Sequence, residues 1–263
     1  MRTVTRLSIA PVKSLGLRHP SAIRIEPFGV LENRRFHLID ERGALFGGTK
    51  HGPLVQIASE WDSGSERLAL RFPDGTVVEG PADGLGAAVR TVFYGRPVEG
   101  RLVEGPFSDA LSAHAGLPLL LVRPDHPGEA NDVWPLSLVS SASVTALARS
   151  AGREDLDPRR FRMLIEIDGC TAYEEDGWDG RAVRVGGAVL RIAGPIPRCQ
   201  VTQLDPSTGL RDFPTLSAIK SARGLGPDGR SLPFGIYGEV LEPGLVRVGD
   251  PVEPLDGAAP PAR

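Results

Sequence analysis

The residues of this 263-residue sequence best suited to chemistry lie in one block, GPIPRCQVTQLDPSTG at 194–209. Pro195 and Pro197 restrict the backbone on the approach to Cys199. The adjacent Arg198 brings a positive charge beside this thiol, whose thiolate is the form that binds metal or attacks sulfur. The alternative is a buried structural cysteine, because free cysteine is among the most buried residue types. Cys170, in the turn IDGCTAY, lacks such surroundings and reads as structural. The histidines at 19, 37, 51, 114 and 126 have no ligand spacing and no C-x-x-C pair exists, so a zinc enzyme is not expected. Walker and G-x-S-x-G sequences are missing, and the glycine pairs lack the context that gives such motifs meaning.

The elements that must position Cys199 are mainly strands. Apolar residues make up 41% and charged residues 24%, which excludes a wholly disordered or collagen-like chain, and 32 glycines with 24 prolines imply many turns. Net charge is −3, so no global basic field favours nucleic acid or anionic lipid, and any anion site must be local. With two cysteines, no signal-type core and no long apolar run, the expected location is the cytoplasm. Alternation marks strands around Val4–Ile9 and Ile23–Ile25, a hairpin from RRFHLID, and a second from RLALRF and TVVEG joined through Asp74 and Gly75. In the first half, helix is expected only at 84–92 or 109–115. Further on, PLLLVRPD reads as a buried strand and the second half of PLSLVSSASVTALARSAG as a helix capped by Ser141 or Ser143. More strands are expected at FRMLIEID, AVRVGGAVLRIA, CQVTQLD and the closing EVLEPGLVRVGDPVEPL.

Six strings occur in order along almost the whole chain: PVKS at 11–14, RRFHLID at 34–40, FRMLIEIDG at 161–169, EEDGWDG at 174–180, PRCQVTQLDPSTG at 197–209, and PFGIYGEV with VRVGDPV near the end. On these the sequence resembles the MOSC proteins, named for the C-terminal domain of molybdenum cofactor sulfurases, and within them the bacterial YcbX-like and mitochondrial amidoxime-reducing proteins. The resemblance implies a mainly β fold with a few helices. It implies an N-terminal MOSC β-barrel domain, expected at 1–115, then a MOSC β-barrel domain at 116–258 and a flexible tail at 259–263.

The resemblance also implies that Cys199 is the catalytic residue and the ligand to molybdenum held by molybdopterin, a soft donor suited to a high-valent metal. The cofactor phosphate would be neutralised by Lys13, Ser14, Arg35 and Arg162, with Thr49, Lys50, Ser140, Ser141, Arg198 and Tyr237 completing the expected cofactor-binding set. Arg162 carries its own argument, since a charge inside the apolar run FRMLIEI needs a partner. No pyridoxal phosphate is expected. Glu174, Glu175 and Asp176 read as a solvated face and Trp178 as a packing residue. The chain departs from the family in having Arg162, Met163 and Leu164 where relatives show Arg-Pro-Asn, which puts an apolar side chain where a polar one is expected. The four clustered cysteines of a plant-type ferredoxin domain are also missing, so electrons are expected from a separate protein of ferredoxin or flavoprotein type.

The implied activity is reduction of small N-hydroxylated substrates, hydroxylamines or amidoximes, with no nucleic-acid or membrane partner. Two alternatives use the same residues: a sulfurtransferase or sulfur carrier working through a Cys199 persulfide, and a non-catalytic molybdenum cofactor carrier.

Overall fold

The computed structural model describes residues 1–258, without the side chains of 256–258, so the tail expected at 259–263 lies outside the described residues. The turn chemistry read from the sequence fixes its local elements. In the hairpin Arg67–Arg71 and Val77–Pro81, Asp74 Oδ1 accepts from the Thr76 amide at 2.8 Å and Gly75 takes φ +88°, while Leu68 and Leu70 are buried on one face. RRFHLID likewise becomes the strand His37–Asp40 returning as Leu45–Phe46, with Asp40 Oδ1 accepting from the amides of Arg42 and Ala44.

The expected mainly β architecture is observed, with three α-helices among the described residues: α1 at Phe107–Ala115, α2 at Ser141–Ser150 and α3 at Thr215–Arg223. A seven-stranded sheet runs in the order Thr3–Leu7, Ile165–Asp168, Leu136–Ser140, Pro233–Glu242, Ala188–Pro197, Arg181–Val185, Val252–Ala258. Its first and last strands meet, because the Val4 amide donates to Asp250 O at 2.9 Å and the Val252 amide to Arg2 O at 3.0 Å. That contact nearly closes the sheet into a barrel around Leu7, Ile165, Ile167, Leu190 and Ile236. A five-stranded sheet (Leu45–Phe46, His37–Asp40, Leu119–Pro124, Arg96–Val103, Leu85–Phe93) and the three-stranded sheet Ala58–Asp62, Arg67–Arg71, Val77–Pro81 enclose a second core of Phe36, Leu38, Leu54, Trp61, Phe107 and Leu121. Strands cross between the two parts: Thr3–Leu7 joins the sheet of the C-terminal half, and Leu119–Pro124 pairs with His37–Asp40 and Arg96–Val103 of the N-terminal half.

Several local expectations are corrected. Residues 84–92 are not helical but form the strand Leu85–Phe93, because pairing with Arg96–Val103 through a two-residue turn outweighs the helical spacing of Leu85, Val89 and Val92. The cap of α2 is Ser140, not Ser141 or Ser143, and its Oγ accepts from the Ser143 amide. The acidic run at 174–176 is not a solvated face: Glu175 is buried against Ser140, while Glu174 and Asp176 pair with Arg2 and Arg223. Trp178 is buried in the seven-stranded core, as expected. Among the described residues no helix is long and apolar enough to cross a membrane.

Candidate functional site

The block around Cys199 leaves the strand Ala188–Pro197 and, where a strand was expected at CQVTQLD, enters a single 3₁₀ turn, Gln200–Gln203, closed by the Thr202 bonds to the Cys199 carbonyl. The Cys199 carbonyl accepts from the Thr202 amide at 3.2 Å and the Thr202 hydroxyl at 3.0 Å. The Thr202 carbonyl in turn accepts from Arg160 Nη1 at 3.1 Å and from Thr215 Oγ1 at 2.6 Å. Arg160 is buried and forks onto both oxygens of Asp212 at 3.1 and 2.9 Å, so the turn is clamped through its backbone, while Cys199 itself is exposed. The following Asp-Pro-Ser-Thr-Gly turn abuts the N-terminal half. A Cβ on Gly209 would stand 2.1 Å from the carbonyl of Gly52, and one on Gly52 would stand 1.9 Å from that of Gly209. Glycine is therefore required on both sides of this backbone crossing.

Cys199 lines a cleft of about 510 Å³ to which both halves contribute. PVKS enters through an antiparallel bridge between Ile9 and Arg18 and a parallel one between Val12 and Phe36. Lys13 is 8% exposed, and its Nζ donates to Asp132 Oδ1 at 2.5 Å and to Ala130 O at 3.0 Å. Burial, helped by the charge of Arg34, lowers its pKa to about 8 against the pull of Asp132. Ser14 adopts φ +75°, with its hydroxyl packed where a Cβ on Gly47 would lie 2.4 Å away. Arg162 takes φ +52° at the end of the 3₁₀ turn Pro158–Phe161, and its Nη2 donates to Leu15 O at 2.7 Å, tying the two halves together. Burial, then the charge of Arg34, lowers its pKa to about 10. Arg198 lies over the Phe161 ring and donates to Phe161 O at 2.7 Å, while its Nε is buried without a partner among the described residues. Burial lowers its pKa to about 10 as well. Thr49 and Tyr237 complete the part of the wall anticipated from the sequence.

Four of the sequence-selected residues stand elsewhere. Arg35 points away from the cleft, donating to Pro124 O at 2.7 Å and lying over Trp61. Its neighbour Arg34, which takes φ +53° in the bend before the strand His37–Asp40, occupies the cleft wall instead. Lys50 is on the surface beside Asp40 and the Phe46 ring. The Ser140 hydroxyl is used up by capping α2 and donating to Glu175 Oε2 at 2.9 Å. Ser141 donates to Asp168 at 2.8 Å. The sequence reading missed Arg34, Asp132 and Tyr94; Arg34 could have been weighed beside Arg35, whereas nothing local marks Asp132 or Tyr94.

Among the described residues, Lys13, Arg34, Arg162 and Arg198 are the cations of the cleft wall and Asp132 is its one carboxylate. Arg34 and Lys13 hold the Asp132 carboxyl well below its ordinary range despite partial burial. The cleft is thus built for an anion next to an accessible thiol. Among the described residues no three His, Cys, Asp or Glu side chains converge on a metal position, so a metal at Cys199 would need donors carried by its own ligand.

Comparison with known proteins agrees with this two-part construction. The family model "MOSC domain" matches residues 125–253 and "MOSC N-terminal beta barrel domain" matches 1–92. The human mitochondrial amidoxime-reducing component 1 is 28% identical over 280 residues, covering 95% of this chain and 82% of that protein. Human mitochondrial amidoxime reducing component 2 is 36% identical over 127 residues, 46% of this chain and 37% of that protein. Among solved structures, the YUAD protein from Bacillus subtilis aligns with a TM-score of 0.47 and 16% identity over 96% of this chain and 95% of its own. With both models matched in order, the chain belongs to the family of MOSC-domain proteins that carry the MOSC N-terminal beta barrel.

Proposed function

We propose that the cleft binds molybdenum-molybdopterin and that the protein reduces N-hydroxylated compounds such as hydroxylamines and amidoximes. The observation that carries this reading is the exposed thiol of Cys199 in a cleft where four cations face one carboxylate. The names of the human relatives, amidoxime-reducing components, support the same reaction class. The residues present fit the cofactor. Cys199 offers a soft thiolate to the metal, and Lys13, Arg162 and Arg198, joined by Arg34, offer the charge a phosphate dianion needs. The Arg198 Nε supplies a buried donor that has no acceptor among the described residues. Ser14, Thr49 and Tyr237 add hydroxyls.

When bound, the metal would supply the two-electron chemistry by which an N–O bond is cleaved, with two electrons and two protons taken up and water released. The chain's own part is positional and acid–base. The turn that carries Cys199 is held by the Arg160–Asp212 clamp. Asp132 keeps the Lys13 ammonium aimed at the cleft. The phenol of Tyr237 has a pKa raised by burial and by Asp132, so it keeps its proton at neutral pH and can donate a hydrogen bond to a substrate oxygen. Electrons would come from a separate ferredoxin- or flavoprotein-type donor in the cytoplasm, and the division into domains at 1–115 and 116–258 belongs to the same reading.

The test is turnover of benzamidoxime with an artificial electron donor by protein made in cofactor-producing cells. Cys199→Ala should abolish it, and survival of activity would refute the ligand role. The exposed thiol also suits a sulfur carrier, in which case mass spectrometry of metal-free protein would find one added sulfur on Cys199.

A further inference from the structure

We infer that Tyr94 is a substrate-binding residue that gives the cleft a preference for N-hydroxylated compounds with a planar, apolar body; this rests on the reductase reading above. Tyr94 and Gly95 form the two-residue turn between Leu85–Phe93 and Arg96–Val103, with φ +49° and +89° and with Phe93 paired to Arg96. Positive φ at both central residues is the turn class that favours Asn-Gly or Asp-Gly, and an aromatic residue at its first position is conformationally costly. The turn itself does not require a ring. What the ring does is reach the cleft: Tyr94 lines its mouth while being 73% exposed. Val133, also in the wall and 59% exposed, and Trp134 beside it come from the segment that carries Asp132. Solvated apolar side chains at the mouth of a reactive cleft form a surface for a ligand to cover.

The ring is also held in place. Phe93 is buried beneath the turn, and Arg96 Nη2 donates to Glu129 O at 2.7 Å and to Asn131 O at 3.0 Å. The hairpin tip is therefore pinned to the chain next to Asp132. Burial of the phenol and the neighbouring charges of Asp132 and Cys199 raise the Tyr94 pKa, which agrees with a hydroxyl turned inward while the ring face meets solvent. A substrate whose flat body stacks on that face would direct its N–O group down the cleft toward Cys199.

The experiment measures equilibrium binding of benzamidoxime and acetamidoxime to cofactor-loaded protein without an electron donor, with KM values determined in parallel. Wild type should prefer benzamidoxime. Tyr94→Asn should weaken benzamidoxime binding about three- to tenfold and narrow the preference, whereas Tyr94→Phe should keep it. Asn suits the positive φ, so Tyr94→Asn should melt no lower than wild type, and a loss of preference then reports the ring and not a damaged fold. Retention of the full preference by Tyr94→Asn, or equal weakening of both ligands, would overturn the assignment. Wild type that binds with this preference but turns over neither compound would overturn the reductase reading while leaving the Tyr94 assignment supported by the dissociation constants.

Discussion

Lys13 Nζ and Asp132 Oδ1 meet at 2.5 Å across 119 residues of sequence, and this pair joins the PVKS segment to the polar stretch after the strand Leu119–Pro124. Removing the carboxylate leaves a buried ammonium facing Arg34. Because Asp132 is itself about one-third exposed, the cost is reduced below that of a fully buried pair. Asp132→Asn should lower unfolding free energy by about 2 kcal/mol in urea titrations. Adding Lys13→Met should recover much of it, and failure of the double variant to recover would show that the pair is not the source.

The lowered pKa of Lys13 sets a pH dependence with a definite sign. Between about 8 and the ordinary value of 10.5 the unfolded chain holds a lysine proton that the folded chain has released. Stability therefore rises with pH across that window and is lost as pH falls through about 8. Anion binding runs the other way, because a neutral Lys13 no longer attracts a dianion. Titration calorimetry with inorganic phosphate should show affinity falling above pH 8, by at most about tenfold per pH unit, with the slope removed in Lys13→Met.

Arg160 supports the Cys199 turn without touching the cleft. Arg160→Met should cost about 3 kcal/mol, since it strands Asp212 and removes a donor from the Thr202 carbonyl. Hydrogen exchange over Cys199–Leu204 should speed up more than exchange in the seven-stranded sheet. Arg160→Lys should not rescue it, because an ammonium cannot reproduce the fork onto both Asp212 oxygens.

The facing glycines allow a similar test. Gly209→Ala places a Cβ against the Gly52 carbonyl at a residue with φ +73°, so the crossing must open. A loss of about 3 kcal/mol or more in thermal unfolding is expected. Gly43→Ala, at φ +76° with nothing within 4 Å of the added carbon, should cost only about 1 kcal/mol.

The sequence carried those features whose causes are local. The Asp74–Gly75 hairpin, α2 and α1, with its pattern of Phe107, Leu111 and Ala115, follow from turn chemistry and apolar period. The strand Leu85–Phe93 was misread because it presents Leu85, Val89 and Val92 at helical spacing, and only pairing with Arg96–Val103 decides otherwise. Helix α3 was missed because its few buried residues, Thr215, Ala218 and Ile219, give a weak stripe and its Pro214 N-cap makes no side-chain bond. In the site, Cys199, Lys13 and Arg162 were legible from their strings. Arg35, Lys50, Ser140 and Ser141 were not separable from cleft residues, because their partners Pro124, Asp40, Glu175 and Asp168 are fixed by tertiary pairing. Tyr94 and Asp132 are brought together by the Arg96 contacts, which no local pattern signals.

The central claim is the bond from the Cys199 sulfur to molybdenum, and elemental analysis tests it most directly. Protein purified from cofactor-producing cells should carry molybdenum and pterin in near-equal amount to the chain, with Cys199→Ala losing the metal's thiolate absorption signature even where pterin is retained. Wild-type protein free of molybdenum, or a Cys199→Ala variant with an unchanged metal spectrum, would contradict it.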